Sequence, residues 1–383
     1  MTSLPDDLQP AEFIRHARQL RALVDQLRGT PLLAVDTESN SLYAYYEQVC
    51  LIQLSTREKD WIVDPLALDD LSPLGDVLGD PATEIVFHAA EYDIVSLKRD
   101  FGFHFGRVFD TMMAARICGW EQVGLGSILE SQFGVRAAKH FQRANWAIRP
   151  LPPDQLLYAQ MDTHYLPALR DILSDELAAL GRTEEAQEIF AALPDLPAAH
   201  YEFDPEGYWN IGGVQKMPRH LVAIARELYL TRDEIARRRD QPAFKIFTDK
   251  ALVELAMLQP RHLADLDTAR SLTGRKARRY GDAILQAVAR GKDAPPPQPP
   301  RRRTPDQAVL ARYDVLRAWR KQRALDRGVE SDVILPRETL WILARQAPQR
   351  LEDLDDIPGL GPWRRAEYGA ELIELLRGMS DET

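Results

Sequence analysis

The sequence predicts an α/β domain followed by two small all-helical domains. Residues 1–190 alternate short apolar segments with amphipathic ones, which is typical of α/β domains. From Asp204 onward no strand signal of comparable strength appears. A shift of 88 residues places ALVELAMLQPRHLADLD (251–267) on TLWILARQAPQRLEDLD (339–355), which indicates two copies of one helical domain.

The elements of the α/β half follow from periodicity and from helix-end signals. A buried strand, LLAVDTES, begins at Leu32 and follows an amphipathic stretch at 11–27. The run 154–180 predicts one long helix with Asp154 as its N-cap and a kink at Pro167. Further strands are predicted at 50–56, 60–64 and 84–88, and further helices at 89–102, 108–119 and 125–135.

Two features divide the chain into domains. The shift of 88 residues also brings Tyr280-Gly281 onto Tyr368-Gly369, and the proline-rich basic segment APPPQPPRRR separates the two copies. We therefore predict an α/β domain at 1–205, helical domains at 206–293 and 304–383, and an extended linker at 294–303.

The distribution of charge along the chain, the small number of cysteines and the lack of long apolar runs indicate the class of protein. The 383 residues carry a net charge of −10, but residues 1–205 account for −16 and residues 206–383 for +6. An acidic front and a mildly basic back suggest that chemistry and polyanion binding are divided between them. With two cysteines, no apolar run long enough for a membrane span and no signal-peptide pattern, we expect a cytoplasmic protein without disulfides.

Acidic residues recur at three places in the front half. Asp36 and Glu38 are two residues apart, so both point to one face of a strand. Asp93 falls early in the helix after the strand EIVFH, near the carboxyl edge of the sheet. Tyr158 and Asp162 stand one helical turn apart. Each signal alone is weak, because a solvated turn, a first-turn acid or a surface pair would look the same.

Together these residues predict a divalent metal site. Carboxylate oxygens suit Mg²⁺ or Mn²⁺, and clustered carboxylates can hold two ions roughly 3.5 to 4 Å apart for attack on a phosphodiester. Tyr158 is a poor base at neutral pH, because an unperturbed tyrosine has a pKa of about 10. We therefore expect its hydroxyl to orient the attacking water. His88 and His164 are better explained by structural or substrate contacts than by metal ligation.

The chain resembles the ribonuclease D family, the branch of the four-carboxylate exonucleases with a tyrosine in the third motif. The resemblance rests on AVDTES, FHAAEYD, VFDTMMAAR and YAQMDTHYL, and extends through LGSILESQFGV and KHFQRANWAIRPL. The C-terminal repeats resemble HRDC domains. The resemblance implies a ribonuclease H-like fold with a mixed sheet and two divalent ions, Mg²⁺ or Mn²⁺. It also implies 3′-to-5′ release of nucleoside 5′-monophosphates from RNA, in particular from tRNA precursors with 3′ trailers.

Site residues are carried over position by position. The resemblance implies that Asp36, Glu38, Asp93 and Asp162 bind the metal ions and that Tyr158 positions the nucleophilic water. Supporting roles are assigned to Thr37, His88 and Asp110. No obligate protein partner is evident.

Basic and glycine-rich positions predict contacts with RNA. Side-chain contacts are predicted for Lys139, Arg143, Arg275, Lys276, Arg278 and Arg279. In the second repeat, Gly359 and Gly361 form a turn that the first repeat lacks, and such a turn could present backbone N–H groups to phosphate. Solvated basic faces and a simple tight turn are the alternatives.

Two other functions remain open from the sequence. A 3′-to-5′ DNA exonuclease uses the same four-carboxylate chemistry, and the motifs alone do not separate RNA from DNA. A catalytically silent nucleic-acid-binding protein is the second alternative, but the complete acidic set argues against it.

Overall fold

The computed structural model describes residues 8–136, 139–199, 202–300 and 306–379. These residues form two compact units that do not follow chain order. The first unit contains the described residues up to 38, those of 49–199 and those of 306–379. The second contains residues 39–48 and the described residues of 202–300. The predicted domain boundaries stay a prediction, and linker residues 301–303 lie outside the described residues.

The first unit is built on a mixed sheet, as predicted, and the described residues contribute six strands to it, two more than the sequence indicated. Its strand order is β1-β4-β3-β2-β5-β6. The pairs β1/β4, β2/β5 and β5/β6 are parallel, whereas β3/β4 is antiparallel. The strands are β1 Glu12–Ile14, β2 Leu32–Ser39, β3 Val49–Ser55, β4 Asp60–Val63, β5 Glu84–Phe87 and β6 Arg107–Asp110.

Among the residues that the structure describes, eight α-helices of the α/β part follow or precede these strands. They bury leucine, isoleucine and alanine side chains against both the sheet and one another, so the apolar strand β2 lies within the core. The helices are α1 Ala17–Leu27, α2 Ser72–Leu78, α3 Glu91–Phe101, α4 Thr111–Cys118, α5 Leu125–Phe133, α6 Pro153–His164, α7 Leu166–Ala179 and α8 Thr183–Ala192.

Three local predictions were wrong in detail. The stretch 11–27 begins with the short strand β1, which pairs with β4. The segment 108–119 begins in strand β6, and Asp110 caps α4 instead of lying within a helix. The predicted helix at 154–180 is two helices that meet at Tyr165, and Pro152 precedes the first of them, so Asp154 is not its N-cap. A proline is tolerated in the first turn of a helix, which explains why Pro167 starts α7 instead of kinking one helix.

The helical repeat is confirmed, because each helix of the second copy begins 88 residues after its counterpart. The two copies also share a left-handed residue at the end of the third helix, Gln259 with φ 49° and Ala347 with φ 47°. The first copy contains α9 Arg219–Arg238, α10 Ala243–Ile246, α11 Asp249–Leu258 and α12 Gly274–Asp293. The second contains α13 Gln307–Arg327, α14 Ser331–Ile334, α15 Arg337–Gln346 and α16 Pro362–Gly378.

The repeated Tyr-Gly pair has a packing reason. A Cβ atom on Gly281 would lie 2.5 Å from the side chain of Leu263, and one on Gly369 would lie 3.2 Å from the side chains of Leu351 and Leu354. The last helix of each copy therefore approaches the preceding short 3-10 helix too closely for a larger residue.

Within the first unit, the second repeat packs on α4 and α8. The Arg116 guanidinium donates to carboxylates of Glu330 and Asp332, and Arg327 donates to the fully buried Glu185. Val333 is fully buried in the same core as the sheet. In the second unit, Tyr45 is buried in the core of the first repeat and donates its hydroxyl to Asp233 at 2.6 Å. Among the described residues, no helix is long and apolar enough to cross a membrane.

Candidate active site

The structure brings the four predicted acids together at one end of the sheet. Asp36 and Glu38 lie in the last half of β2, and Asp93 lies in the first turn of α3, directly after β5. Because β2 and β5 are parallel neighbours, their carboxyl ends meet at one edge. Asp162, on α6, completes the group: the charges of Asp93, Asp162 and Glu38 all act on Asp36.

Burial and mutual repulsion hold protons on this cluster. Burial is the largest cause for each acid. It raises the pKa of Asp36 well above its usual range, helped by Asp93, Asp162 and Glu38. The pKa of Glu38 is raised to about 9, with Asp162 and Asp93 adding repulsion. The pKa of Asp162 is raised to about 8 and that of Asp93 to about 7. Such a cluster is stable only with protons or cations among its oxygens.

Two hydroxyl groups form hydrogen bonds to the two acids that lie on helices, Asp93 on α3 and Asp162 on α6. The Thr37 hydroxyl donates a hydrogen bond to Asp93 Oδ1, and the Tyr158 hydroxyl bonds to the Asp162 carboxylate. These bonds lower the pKa values of Asp93 and Asp162 and so partly oppose burial. Thr37, predicted only as a supporting residue, therefore contacts one of the predicted ligands directly.

The donor set fits a hard divalent cation, although the side chains are not arranged around a common centre. Among the residues that the structure describes, no three Asp, Glu, His or Cys side chains form a finished metal site. All four predicted ligands offer oxygen atoms, the ligand type that Mg²⁺ and Mn²⁺ prefer.

Tyr158 is held in a largely apolar setting. Its side chain is 9% exposed, and its ring packs against Phe141 at 5.8 Å and Trp146 at 6.1 Å between centroids. Burial and the charges of Asp162, Glu38 and Asp36 raise its pKa far above the ordinary value. The phenol therefore stays protonated at neutral pH in the metal-free site, which fits an orienting hydroxyl better than a phenolate base.

Asp110 organises the backbone beside the site. This buried carboxylate accepts hydrogen bonds from the N–H groups of Ala89 and Ala90, at 3.1 and 2.9 Å, immediately before α3. It also caps α4 through the N–H groups of Met112 and Met113. Asp110 thus fixes the turn from which Asp93 projects.

His88 lies on the same turn. Its Nδ1 atom is 2.9 Å from the hydroxyl of Thr111, and the ring also interacts with the backbone of Val123. Burial lowers its pKa, although Asp110 opposes this effect, so the ring is neutral at pH 7.

The predicted RNA contacts fall at separate places. The side chain of Lys139 lies outside the described residues, and Arg143 is in the short 3-10 helix Lys139–Arg143 beside Tyr158. Arg275, Arg278 and Arg279 are exposed at the start of α12, and Lys276 there is partly exposed. These assignments stay predictions.

The glycine turn of the second repeat faces a different partner from the predicted phosphate. A Cβ atom on Gly361 would lie 2.3 Å from the side chain of Glu188, which belongs to α8. The Glu188 carboxylate accepts hydrogen bonds from the N–H groups of Trp363 and Arg364, at 2.6 and 3.3 Å. The N–H groups of Trp363 and Arg364 at the start of α16 are therefore bonded to a carboxylate of the same unit, whereas the RNA contacts of Gly359 and Gly361 themselves stay a prediction.

Two networks beside the site went unrecognised in the sequence. Asp60 accepts hydrogen bonds from Gln160 at 2.6 Å and from His164 at 2.8 Å, on the helix that carries Tyr158. Arg149 donates two hydrogen bonds to Asp64. The acids at both ends of DWIVD were visible, but nothing in the sequence indicates their partners about 100 residues away.

Comparison with known proteins agrees with this geometry. The 3'-5' exonuclease family matches residues 11–178, and the HRDC domain family matches residues 222–288 and 309–376. Ribonuclease D of Gluconacetobacter diazotrophicus is 30% identical over 96% of this chain and 93% of its own length. Ribonuclease D of Jannaschia sp. is 31% identical over 94% of each chain. The crystal structure of Escherichia coli RNase D, "an exoribonuclease involved in structured RNA processing", has 25% identity and a TM-score of 0.70, covering 97% of this chain and 99% of the other.

A complete set of four acids and a tyrosine on a ribonuclease H-like sheet, followed by two HRDC domains, thus accompanies full-length similarity to curated relatives. The chain belongs to the ribonuclease D family and is a 3′-to-5′ exoribonuclease.

Proposed function

We propose that this exoribonuclease uses two divalent metal ions, Mg²⁺ or Mn²⁺, to release nucleoside 5′-monophosphates from the 3′ ends of tRNA precursors in the cytoplasm. The observation that carries the proposal is the cluster of four carboxylates whose pKa values are raised by burial and mutual repulsion. Exonucleases of the four-carboxylate family use divalent metal ions, and this donor set fits them.

The proposed ligands have distinct supports in the chain. Asp36 and Glu38 are placed by β2, so their separation is set by the strand. Asp93 is held by the Thr37 hydroxyl, and Asp162 by the Tyr158 hydroxyl. When bound, the metal ions would activate water and stabilise charge on the leaving 3′-oxygen.

The remaining proposed roles belong to the protein. The protonated Tyr158 hydroxyl orients the water near Asp162, and the rings of Phe141 and Trp146 limit the motion of the phenol. Basic residues at the start of α12 attract the phosphate backbone, so affinity for RNA falls with added salt. The choice of tRNA precursors rests on the family resemblance.

A labelled-RNA ladder tests the proposal. RNA labelled at its 5′ end is incubated with the protein and Mg²⁺, Mn²⁺ or a chelator, and the products are separated by length. Stepwise shortening with metal and no reaction with chelator are expected, and chromatography of the products of a uniformly labelled RNA should show nucleoside 5′-monophosphates. Exonuclease activity in Asp36→Ala, or in the wild-type protein with chelator present, would contradict the metal-dependent mechanism.

Substrate identity needs two further comparisons. A DNA oligonucleotide of the same sequence is expected to be degraded more slowly than the RNA, and equal rates would favour the general-exonuclease alternative. A tRNA precursor with a 3′ trailer is expected to be trimmed faster than an unstructured RNA of equal length. Equal rates on those two RNAs would remove the tRNA assignment without affecting the chemistry.

A further inference from the structure

An irregular segment, residues 139–151, lies against the ring of Tyr158. It contributes Phe141 and the fully enclosed Trp146, which is 1% exposed. The hydrogen bonds of Ala144 to the Phe141 carbonyl and of Ile148 to the Asn145 carbonyl are local. They shape the segment but do not attach it to the sheet.

Trp146 shares an apolar core with Leu51 of β3 and Ile62 of β4, and Arg149 adds a polar attachment to the same two strands. Its Nε and Nη2 atoms each donate to one oxygen of Asp64, both at 2.7 Å. Nη2 also donates to the Cys50 carbonyl on β3 at 2.8 Å. On the segment itself, Nη1 donates to the Trp146 carbonyl at 2.6 Å. One guanidinium therefore joins the backbone at Trp146 to β3 and to the end of β4.

The chemistry of this contact suits arginine alone. The Asp64 side chain is 4% exposed, so its charge needs a buried partner with two parallel donors. A lysine ammonium is a point charge and cannot match both carboxylate oxygens and two carbonyls at once. Trp146, in turn, has no hydrogen-bond partner for its Nε1 atom among the described residues, so the ring is held by packing and by its backbone.

We propose that Arg149 is a positioning residue for the reaction: by fixing Trp146 to the sheet, it holds the Tyr158 phenol in the orientation that the nucleophilic water requires. This inference rests on the proposed role of Tyr158. It assigns to Arg149 an effect on turnover that passes through Tyr158, and none on metal ligation, since Arg149 bonds to none of the four acids.

A double-mutant cycle separates this role from simple stabilisation. Tyr158→Phe is expected to lower kcat roughly 10- to 100-fold, because orientation of the water is lost. Arg149→Lys is expected to lower kcat about tenfold with KM for RNA changed less than about twofold. In the Tyr158→Phe background, Arg149→Lys should change kcat less than about twofold, since the hydroxyl that it positions is already absent.

Controls make each outcome decisive. Asp64→Asn removes the same ion pair from the other side and should reproduce the kcat loss, so it serves if Arg149→Lys folds poorly. Arg57→Lys breaks a similar bidentate pair with Asp171, at 2.6 and 3.0 Å on the exposed surface, and should leave kcat unchanged. Mg²⁺ affinity should be unchanged in Arg149→Lys and in Asp64→Asn.

Three results would overturn the inference. The first is an unchanged kcat in both Arg149→Lys and Asp64→Asn, and the second is a double variant whose loss of kcat equals the product of the losses in Arg149→Lys and Tyr158→Phe. The third is a loss of Mg²⁺ affinity as large as the loss of kcat. Failure of the proposed function looks different. In that case Tyr158→Phe alone would leave kcat unchanged, or the wild-type protein would be inactive with metal.

Discussion

Glu185 of α8 and Arg327 of α13 form a bidentate ion pair in which the glutamate side chain is fully buried. The pair joins the second helical repeat to the helix that packs on β6. Tyr368 adds its hydroxyl, 2.5 Å from the same guanidinium. A buried ion pair therefore attaches the second repeat to the unit that contains the nuclease sheet.

Removing one partner of this pair should be costly. Arg327→Met leaves the Glu185 carboxylate buried without its cation, and we expect the free energy of unfolding of the first unit to fall by about 3 kcal/mol. Urea unfolding followed by tryptophan fluorescence measures this loss. Arg317→Met, which breaks the exposed pair with Asp314, is the control and should cost less than about 1 kcal/mol. Equal effects would contradict the buried pair.

Glu188 should stabilise the start of α16. Glu188→Ala removes the acceptor for two helix N–H groups, and we expect a loss of about 1 to 2 kcal/mol in unfolding free energy. Glu184→Ala, an exposed acid on the same helix, should cost only a few tenths of a kcal/mol. If the two variants have the same free energy of unfolding, the Glu188 carboxylate does not cap α16 in solution.

Metal should stabilise the protein more strongly as pH rises. The pKa values of Glu38 and Asp162 are raised to about 9 and about 8, so the metal-free folded state holds protons that the unfolded chain has released. The stability contributed by these groups is complete below about pH 4 and is lost as pH rises through their folded pKa values. Mg²⁺ bound to the ionised carboxylates should reverse this loss.

Calorimetry with Mg²⁺ or with chelator, at several pH values from about 6 to 9, measures this linkage. The increase in Tm caused by Mg²⁺ should grow with pH. An increase that stays constant or shrinks over this range would show that the acids do not titrate as a metal-binding cluster.

Neutralising one acid should separate stability from activity. Asp36→Asn replaces an acid that burial and the charges of Asp93, Asp162 and Glu38 keep protonated with a neutral amide. The cost of holding that proton disappears, and the metal-free variant should be more stable than the wild type by about 1 kcal/mol at pH 8. Its exonuclease rate should fall at least about a thousandfold. Asp175→Asn, at an exposed acid of α7, should change neither property. A destabilised Asp36→Asn would mean that its charge is compensated in the folded protein.

Asp110 should affect the site through the backbone. In Asp110→Asn an amide group replaces one acceptor oxygen beside four N–H donors, and we expect a loss of about 2 kcal/mol in unfolding free energy and a lower kcat. Asp70→Asn weakens an exposed turn that has one such bond to Ser72 and should leave kcat unchanged. A stable, fully active Asp110→Asn would refute the role.

Local pattern was sufficient for the parts of the site that lie on single elements. Asp36 and Glu38 share a face of β2 because strands alternate, and Tyr158 and Asp162 share a face of α6 because helices repeat every 3.6 residues. Asp93 could be placed because it follows a parallel strand directly. These inferences need no knowledge of distant contacts.

Contacts between distant residues were beyond such reasoning. The segment VFDTMMAAR is apolar at helical spacing, so Asp110 was predicted to lie in a helix. In the structure the first residues of this segment belong to β6, because they pair with β5. Nothing in the sequence reveals that Glu188 lies against Gly361, or that Thr339 and Pro336 lie against Gly359. Tyr165 divides α6 from α7 although propensity alone predicts a continuous helix.

The loop that leaves β2 limits how the chain can be divided. Residues 39–48 follow Glu38 directly, but they belong to the same compact unit as the first repeat. Tyr45 of this loop shares a core there with Ile246 and Phe247. A truncated protein ending near residue 205 would keep this tyrosine without Asp233 and Asp240, and would keep Glu185 without Arg327. A cut at the predicted domain boundaries would therefore leave Tyr45 and Glu185 without their buried partners, and we expect it to destabilise the protein.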